Sequence, residues 1–310
     1  MSENEISKLL AKRIALGLAI AAFPGTGLAA DALEEITPAE RMAVSQPNAK
    51  VDLSYIHYDF DGGLALGDGG DGYLLQGAVS VPVGQSFGLQ IDGGLLGADL
   101  DGGDINAKGV GGHFFWRDPA IGLLGAYGHY VDYDRDITTA RLGAELEVYN
   151  GQYSFEGFAG VDHLDTPIGD EDYFAADATI AWYVNDNFRV SAGVAQAFEQ
   201  TSANIGMEMM VDVGETAPAF FANASFGSNE TVVMAGLRAY FGPSKSLKAR
   251  HREDDPAIGL FDNFGALGSC LNESNQIPRI DNRSARIALP ANATYSLDGC
   301  DVNVTRVVNN

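Results

Sequence analysis

Nine charged side chains stand at alternating positions within stretches that are otherwise apolar or small: Asp92, Arg141, Glu145, Glu147, Glu156, Asp177, Arg189, Glu208 and Arg238. In an extended chain, residues two apart share one face of a sheet. Charges on one face and apolar groups on the other suit the wall of a polar passage better than a reaction centre. Acids outnumber bases in this set, so neutral or cationic solutes are expected to pass; acidic ones would call for an arginine ladder. Other chemistries lack their motifs. The five histidines, His57, His113, His129, His163 and His251, are scattered. No G-x-S-x-G or H-E-x-x-H pattern accompanies them, so neither enzyme activity nor a cofactor is expected. The aspartate-glycine turns at 67–72 and 99–104 make Asp68, Asp71, Asp99, Asp101 and Asp104 weak candidates for a divalent cation. Their spacing does not match an EF-hand loop, and solvated turns are the simpler expectation. Two cysteines cannot form a tetrahedral zinc site unaided.

Composition narrows the class further. The 310 residues carry 42 acidic and 19 basic side chains, a formal charge of −23, which argues against a nucleic-acid partner. A hydrophobic fraction of 46% fits a folded chain, and 38 glycines with a mean hydropathy of −0.03 argue against a bundle of membrane helices. Residues 1–30 read as an export signal: Lys8, Lys12 and Arg13, then an apolar run over 14–23, then small residues. Ten apolar residues are too few for a spanning helix, which needs roughly twenty.

The elements that must position the charges are strands. From about residue 50 to 241, segments of period two alternate with short punctuators. Twelve strands are expected, near 50–60, 73–83, 86–98, 107–117, 121–133, 137–149, 152–163, 172–184, 187–199, 205–213, 218–226 and 230–241. No helical period separates them, so sequential antiparallel neighbours follow. The apolar face is continuous from strand to strand, while the other carries Gly, Ala, Ser and Gln with isolated charges. A soluble sandwich would have the reverse polarity. The expected fold is therefore all-β: a transmembrane, antiparallel, up-and-down barrel whose closure removes the edges lipid cannot solvate. Inward Gly88, Gly94, Gly122, Ala126, Gly128, Gly193 and Ala195 are expected to leave room in the lumen. Phe115, Trp116, Tyr149, Tyr153, Phe188, Phe220 and Phe241 gather near one set of turns, and Tyr58, Tyr73, Tyr130, Tyr133 and Phe198 near the other, as two interfacial belts. Even-numbered connections are short and odd-numbered ones longer and acidic, which places both termini in the periplasm.

Two further features carry a resemblance. The segment Met234-Ala235-Gly236-Leu237-Arg238-Ala239-Tyr240-Phe241-Gly242-Pro243 resembles the closing strand of bacterial outer-membrane barrels, and the basic stretch 244–256 resembles one that follows the barrel in porin-like outer-membrane proteins of alphaproteobacterial type. The resemblance implies an outer-membrane location among lipid and lipopolysaccharide, and recognition of Phe241 by the barrel-assembly machinery. Phe241 is followed here by nearly seventy residues, so such recognition would be internal.

The chain thus divides into an export signal (1–30), a periplasmic segment (31–49), the barrel (50–241), a basic junction (242–256) and a periplasmic tail (257–310). Cys270 and Cys300 are expected to clamp the tail as a disulfide, because the periplasm is oxidising. Lys245 to Arg252 could equally be solvated or touch anionic headgroups. Two functions follow: a narrow diffusion channel for small neutral or cationic solutes, or a non-conducting barrel that anchors the tail for a periplasmic partner.

Overall fold

The computed structural model describes residues 42–59, 69–100, 103–134, 136–166, 169–211, 216–227 and 230–268, together with two short strands near the C-terminus. The expected export signal and most of the tail fall outside these. Twelve strands close into one antiparallel cylinder. They are β1 (Asn48–Asp59), β2 (Gly70–Val83), β3 (Phe87–Leu100), β4 (Gly103–Asp118), β5 (Gly122–Tyr133), β6 (Ile137–Asn150), β7 (Tyr153–Thr166), β8 (Gly169–Asn185), β9 (Phe188–Ala197), β10 (Gln200–Met210), β11 (Thr216–Phe226) and β12 (Thr231–Phe241). Each pairs with its neighbour in sequence, and β12 returns to β1 with Ala49 opposite Phe241 and Asp52 opposite Arg238. Closure leaves no free edge in the sheet.

The outer wall is apolar. Leu53, Leu75, Ile91, Leu95, Val110, Leu124, Leu142, Val194, Ile205 and Leu237 all lie exposed on it. Alternation then carries the intervening residues inward.

Several expectations are corrected. The odd-numbered connections are not long as a class. Strands β3 and β4 extend through the second acidic loop to within two residues of each other, and β9 joins β10 through Phe198 and Glu199 alone. Both of those residues adopt left-handed backbone, φ 45° and 63°, the conformation of a two-residue hairpin turn that Asn-Gly normally fills. The acidic character of that rim holds while the length difference does not. The aromatic belts are also mixed. Tyr55, Tyr73, Phe87, Phe114, Tyr130, Tyr153, Phe174, Trp182, Phe220 and Phe241 face outward, whereas Phe115, Tyr133, Tyr149, Tyr58 and Phe198 are buried.

The largest departure concerns the chain after the barrel. Residues 244–268 do not trail away from it; they fold back into the lumen. Helix α1 (Leu247–Glu253) starts at the Ser246 cap, whose hydroxyl accepts from the Ala249 N–H. Leu247 packs with Met210, Ala217, Ala219 and Tyr240. Beyond it, Ile258, Leu260, Phe261, Phe264, Ala266 and Leu267 join inward-facing Ile56, Tyr58, Leu74, Leu96, Ile105, Val131 and Tyr133 in one apolar core. Burying these groups inside the cylinder takes apolar surface out of water and fills that part of the lumen with side chains. At the same end as α1, Ala43 and Val44 pack with Phe115 and Leu123, and the Ser45 N–H donates to the Glu253 carbonyl.

This plug explains an inverted parity in β5. There Leu123, Tyr127, His129, Val131 and Tyr133 point inward and Leu124, Ala126 and Tyr130 outward, so Ala126 and Gly128 belong to the outer face. Large inward side chains are accommodated because they meet plug residues instead of water. Gly94 and Gly111 do the converse. A Cβ at Gly94 would come within 2.8 Å of Phe261, and one at Gly111 within 2.9 Å of Leu260. The room those glycines leave belongs to the plug.

Candidate functional site

The lumen-facing charges assemble in layers across the barrel. All nine residues singled out by their alternation face inward, on the parity of their buried neighbours. Eight of them are engaged. Asp92 and Glu145 flank His113, at 3.0 Å from Nε2 and 2.8 Å from Nδ1, and Gln90 donates to Asp92 at 2.8 Å. Arg141 holds Asp162, its cross-strand partner on β7, through two bonds of 2.6 and 2.7 Å. Arg189 reaches across β8 to Glu156 at 2.6 Å. Arg238 spans the closing seam to Asp52 with two bonds of 2.6 Å, and also reaches Glu208 at 2.9 Å. Glu147 accepts from the Tyr149 hydroxyl at 2.6 Å. Paired guanidinium–carboxylate forks of this kind fix side-chain geometry as well as neutralise charge.

The exception is Asp177, which has no hydrogen bond or ion pair among the described residues. It lines a cavity of about 310 Å³ between the plug and the wall formed by β8 to β12. The wall contributes short polar groups, Thr179, Ser191, Ser202, Asn204, Asn223 and Ser225. The plug contributes Ile258, Phe261, Asp262 and Asn263, and Glu230 stands at the turn between β11 and β12. The plug thus sits against the β2–β5 side, where Gly94 and Gly111 make way for it, and leaves the opposite side open.

One end of the lumen carries α1. His251 lies between the hydroxyls of Tyr183, at 3.0 Å, and Tyr240, at 2.9 Å. Burial holds its pKa well below the ordinary histidine value, so the neutral ring offers one donor and one acceptor to those hydroxyls. Arg250 lies over the Tyr240 ring, and Arg252 over Tyr149 while donating to the Tyr153 carbonyl. Lys245 pairs with Glu253 and Asp254, Lys248 with Asp186, and Lys50 of β1 with Asp255 and the Pro256 carbonyl. The basic stretch expected to be solvated or to meet headgroups is therefore spent on contacts within the barrel.

The remaining candidates are dispersed. Asp71 accepts from Tyr55 and lies 2.8 Å from His57, and Asp99 faces Asp104 across β3 and β4. Asp68 and Asp101 lie outside the described residues. Among the described residues, no group of three or more His, Cys, Asp or Glu is arranged to hold a metal ion. Phe241 ends β12 on the outer face. The expected Cys270–Cys300 disulfide falls outside what is described; only the backbone around Cys300 is, as a strand pairing 300–302 with 295–297. Alternation alone could have found Asp52, His113 and Asp162. Lys50, Asp262 and Asn263 acquire meaning only once the plug is in place.

No protein-family model and no curated protein matches the sequence. Among solved structures, an outer membrane channel from Pseudomonas putida F1 is similar at 12% identity and TM-score 0.47, covering 67% of this chain and 99% of that one. The translocator domain of the autotransporter NalP from Neisseria meningitidis is similar at 9% identity and TM-score 0.46, covering 64% and 90%. The KdgM porin is similar at 10% identity and TM-score 0.40, covering 60% and 97%. At identities and scores this low, no function transfers from them.

Proposed function

We propose that this chain is an outer-membrane barrel acting as a narrow channel for small neutral or cationic solutes, its bore reduced to a lane by its own post-barrel segment. The membrane part of this reading rests on polarity. A closed cylinder with aliphatic side chains exposed around its wall and ion pairs inside it would aggregate in water and is matched to hydrocarbon. The channel part rests on one observation: the cavity beside the plug, walled by serine, threonine and asparagine and carrying carboxylates in excess of free basic groups. Each arginine lining it is already held by a carboxylate, so the lane presents uncompensated negative charge, which favours cations and repels anions.

The test is reconstitution of the full chain in planar bilayers. Small, cation-selective conductance steps are expected, and removal of residues 244–310 should raise the step size severalfold. Absence of steps in both forms, or anion selectivity in the full chain, would reject the proposal.

A further inference from the structure

Besides Glu230 at the β11–β12 turn, the lane contains two carboxylates without a partner among the described residues. Asp177 projects from β8 and Asp262 from the plug, and both line the cavity without a hydrogen bond or ion pair among the described residues. The nearby basic groups are committed elsewhere: Arg141 to Asp162, Arg189 to Glu156, and Arg238 to Asp52 and Glu208. Beside Asp262, the Asn263 side chain also lines the cavity. That residue is 2% exposed, yet among the described residues neither its amide oxygen nor its amide nitrogen has a partner. A buried amide left unpaired costs on the order of 1–3 kcal/mol, so its presence in a fold calls for an explanation, and a bound ligand supplies one.

The rest of the surface is apolar, supplied by Ile258 and Phe261 of the plug and Val232 of β12. Carboxylates, an unpaired amide and a hydrocarbon wall together describe the counterpart they would take. A bare or hydrated metal ion would want more oxygen ligands than are grouped here and would gain nothing from the apolar side. A neutral solute would leave both carboxylates unneutralised. An alkylammonium or guanidinium group on a short apolar body meets all three features: charge against Asp177 and Asp262, a hydrogen bond with Asn263, and hydrocarbon or cation–π contact with Phe261. The volume, about 310 Å³, matches the small end of ligand pockets.

We infer that the cavity between the plug and the β8–β12 wall is a binding station for a small organic monocation, held between Asp177 and Asp262 with Asn263 as its hydrogen-bond partner. This deepens the channel reading by naming the solute class, and it rests on that reading for its role in transport. Binding can nonetheless be measured without any flux.

The probe is n-butylammonium, titrated by calorimetry into the full chain in detergent, with n-butanol and butyrate as matched neutral and anionic references. The ammonium is expected to bind at least about tenfold more tightly than the alcohol, and butyrate not at all. Asp177→Asn and Asp262→Asn should each weaken the ammonium about tenfold while leaving butanol unchanged. Asp71→Asn, on the outer rim away from the lumen, should change neither. Equal binding of ammonium and alcohol by the unaltered protein would overturn the inference even if the variants failed to fold. So would ammonium binding that persists undiminished in Asp177→Asn/Asp262→Asn. Conductance is recorded separately. A protein that conducts without preferring the ammonium loses the station and keeps the channel; one that binds it without conducting keeps the station and loses the channel.

Discussion

At the scale of single residues, most lumenal carboxylates have a named counterpart, and those without one among the described residues, Asp177, Asp262 and Glu230, line the open lane. Asp52 and Arg238 join the first and last strands, so the bond that neutralises them also sits on the seam that closes the cylinder. Removing one member of such a buried pair typically costs about 3–5 kcal/mol, because the other is left charged and dry. Glu230 is the opposite case. It sits in the turn before β12, 2% exposed, with Oε2 unpartnered among the described residues, and burial pushes its carboxyl from 4.5 up to about 7. A raised carboxyl opposes folding once it must ionise. Below about pH 4.5 the acid is neutral in both states and costs nothing. As pH rises from there toward 7, the unfolded chain releases its proton and the folded one does not, so stability falls across that window and levels off above it. The shift corresponds to about 3 kcal/mol. Glu230→Gln should therefore abolish that part of the decline between about pH 4.5 and 7, read as the denaturant midpoint in detergent. An unchanged slope would show that Glu230 ionises freely in the fold.

At the scale of elements, alternation was legible and its sense was not always so. Ten-to-fourteen-residue segments of period two were enough to place twelve strands, and the inward parity of Arg141, Arg189 and Arg238 could be read from the apolar residues beside them. The same rule misplaced β5, where Tyr127, Val131 and Tyr133 look lipid-facing but meet the plug. A pattern records that a face is apolar; it does not record whether lipid or another piece of the chain covers it. The β9–β10 turn was missed for a related reason. Its backbone needs two positive φ angles, and the sequence there is Phe198-Glu199, where Asn-Gly would have signalled a turn. Phe198 is kept because its ring is fully buried, edge-on to Tyr173 at 5.5 Å. The two positions should therefore respond oppositely. Glu199→Gly removes a left-handed strain at little cost in contacts and is expected to stabilise by about 0.5–1 kcal/mol. Phe198→Ala keeps the strain and loses the ring, and should destabilise by about 3–5 kcal/mol. Urea midpoints of the two variants, compared with the parent, check both signs.

At the scale of the whole molecule, the question is whether solutes pass beside the plug or need it to leave. The interior is asymmetric. On the β1–β5 side, glycines let Leu260 and Phe261 press against the wall, and Lys50 and Gln90 hold the Pro256 carbonyl. On the β8–β12 side, short polar residues face an open lane. An occupant anchored on one side, with a polar gap on the other, is suited to stay in place while small solutes move past. This can be tested by pinning it. Position 111 lies against Leu260, where a Cβ would come within 2.9 Å of that side chain. Gly111→Cys with Leu260→Cys, in a background carrying Cys270→Ser and Cys300→Ser, should form a cross-link on oxidation that fixes the plug to β4. If the lane is the path, single-channel conductance should be the same before and after oxidation, and the cross-link should raise the thermal midpoint by restricting the unfolded chain, worth about 3–5 kcal/mol for a loop of this length. Conductance that vanishes on oxidation and returns on reduction would mean that the plug must swing out, and the lane beside it would then be a resting cavity and not the route.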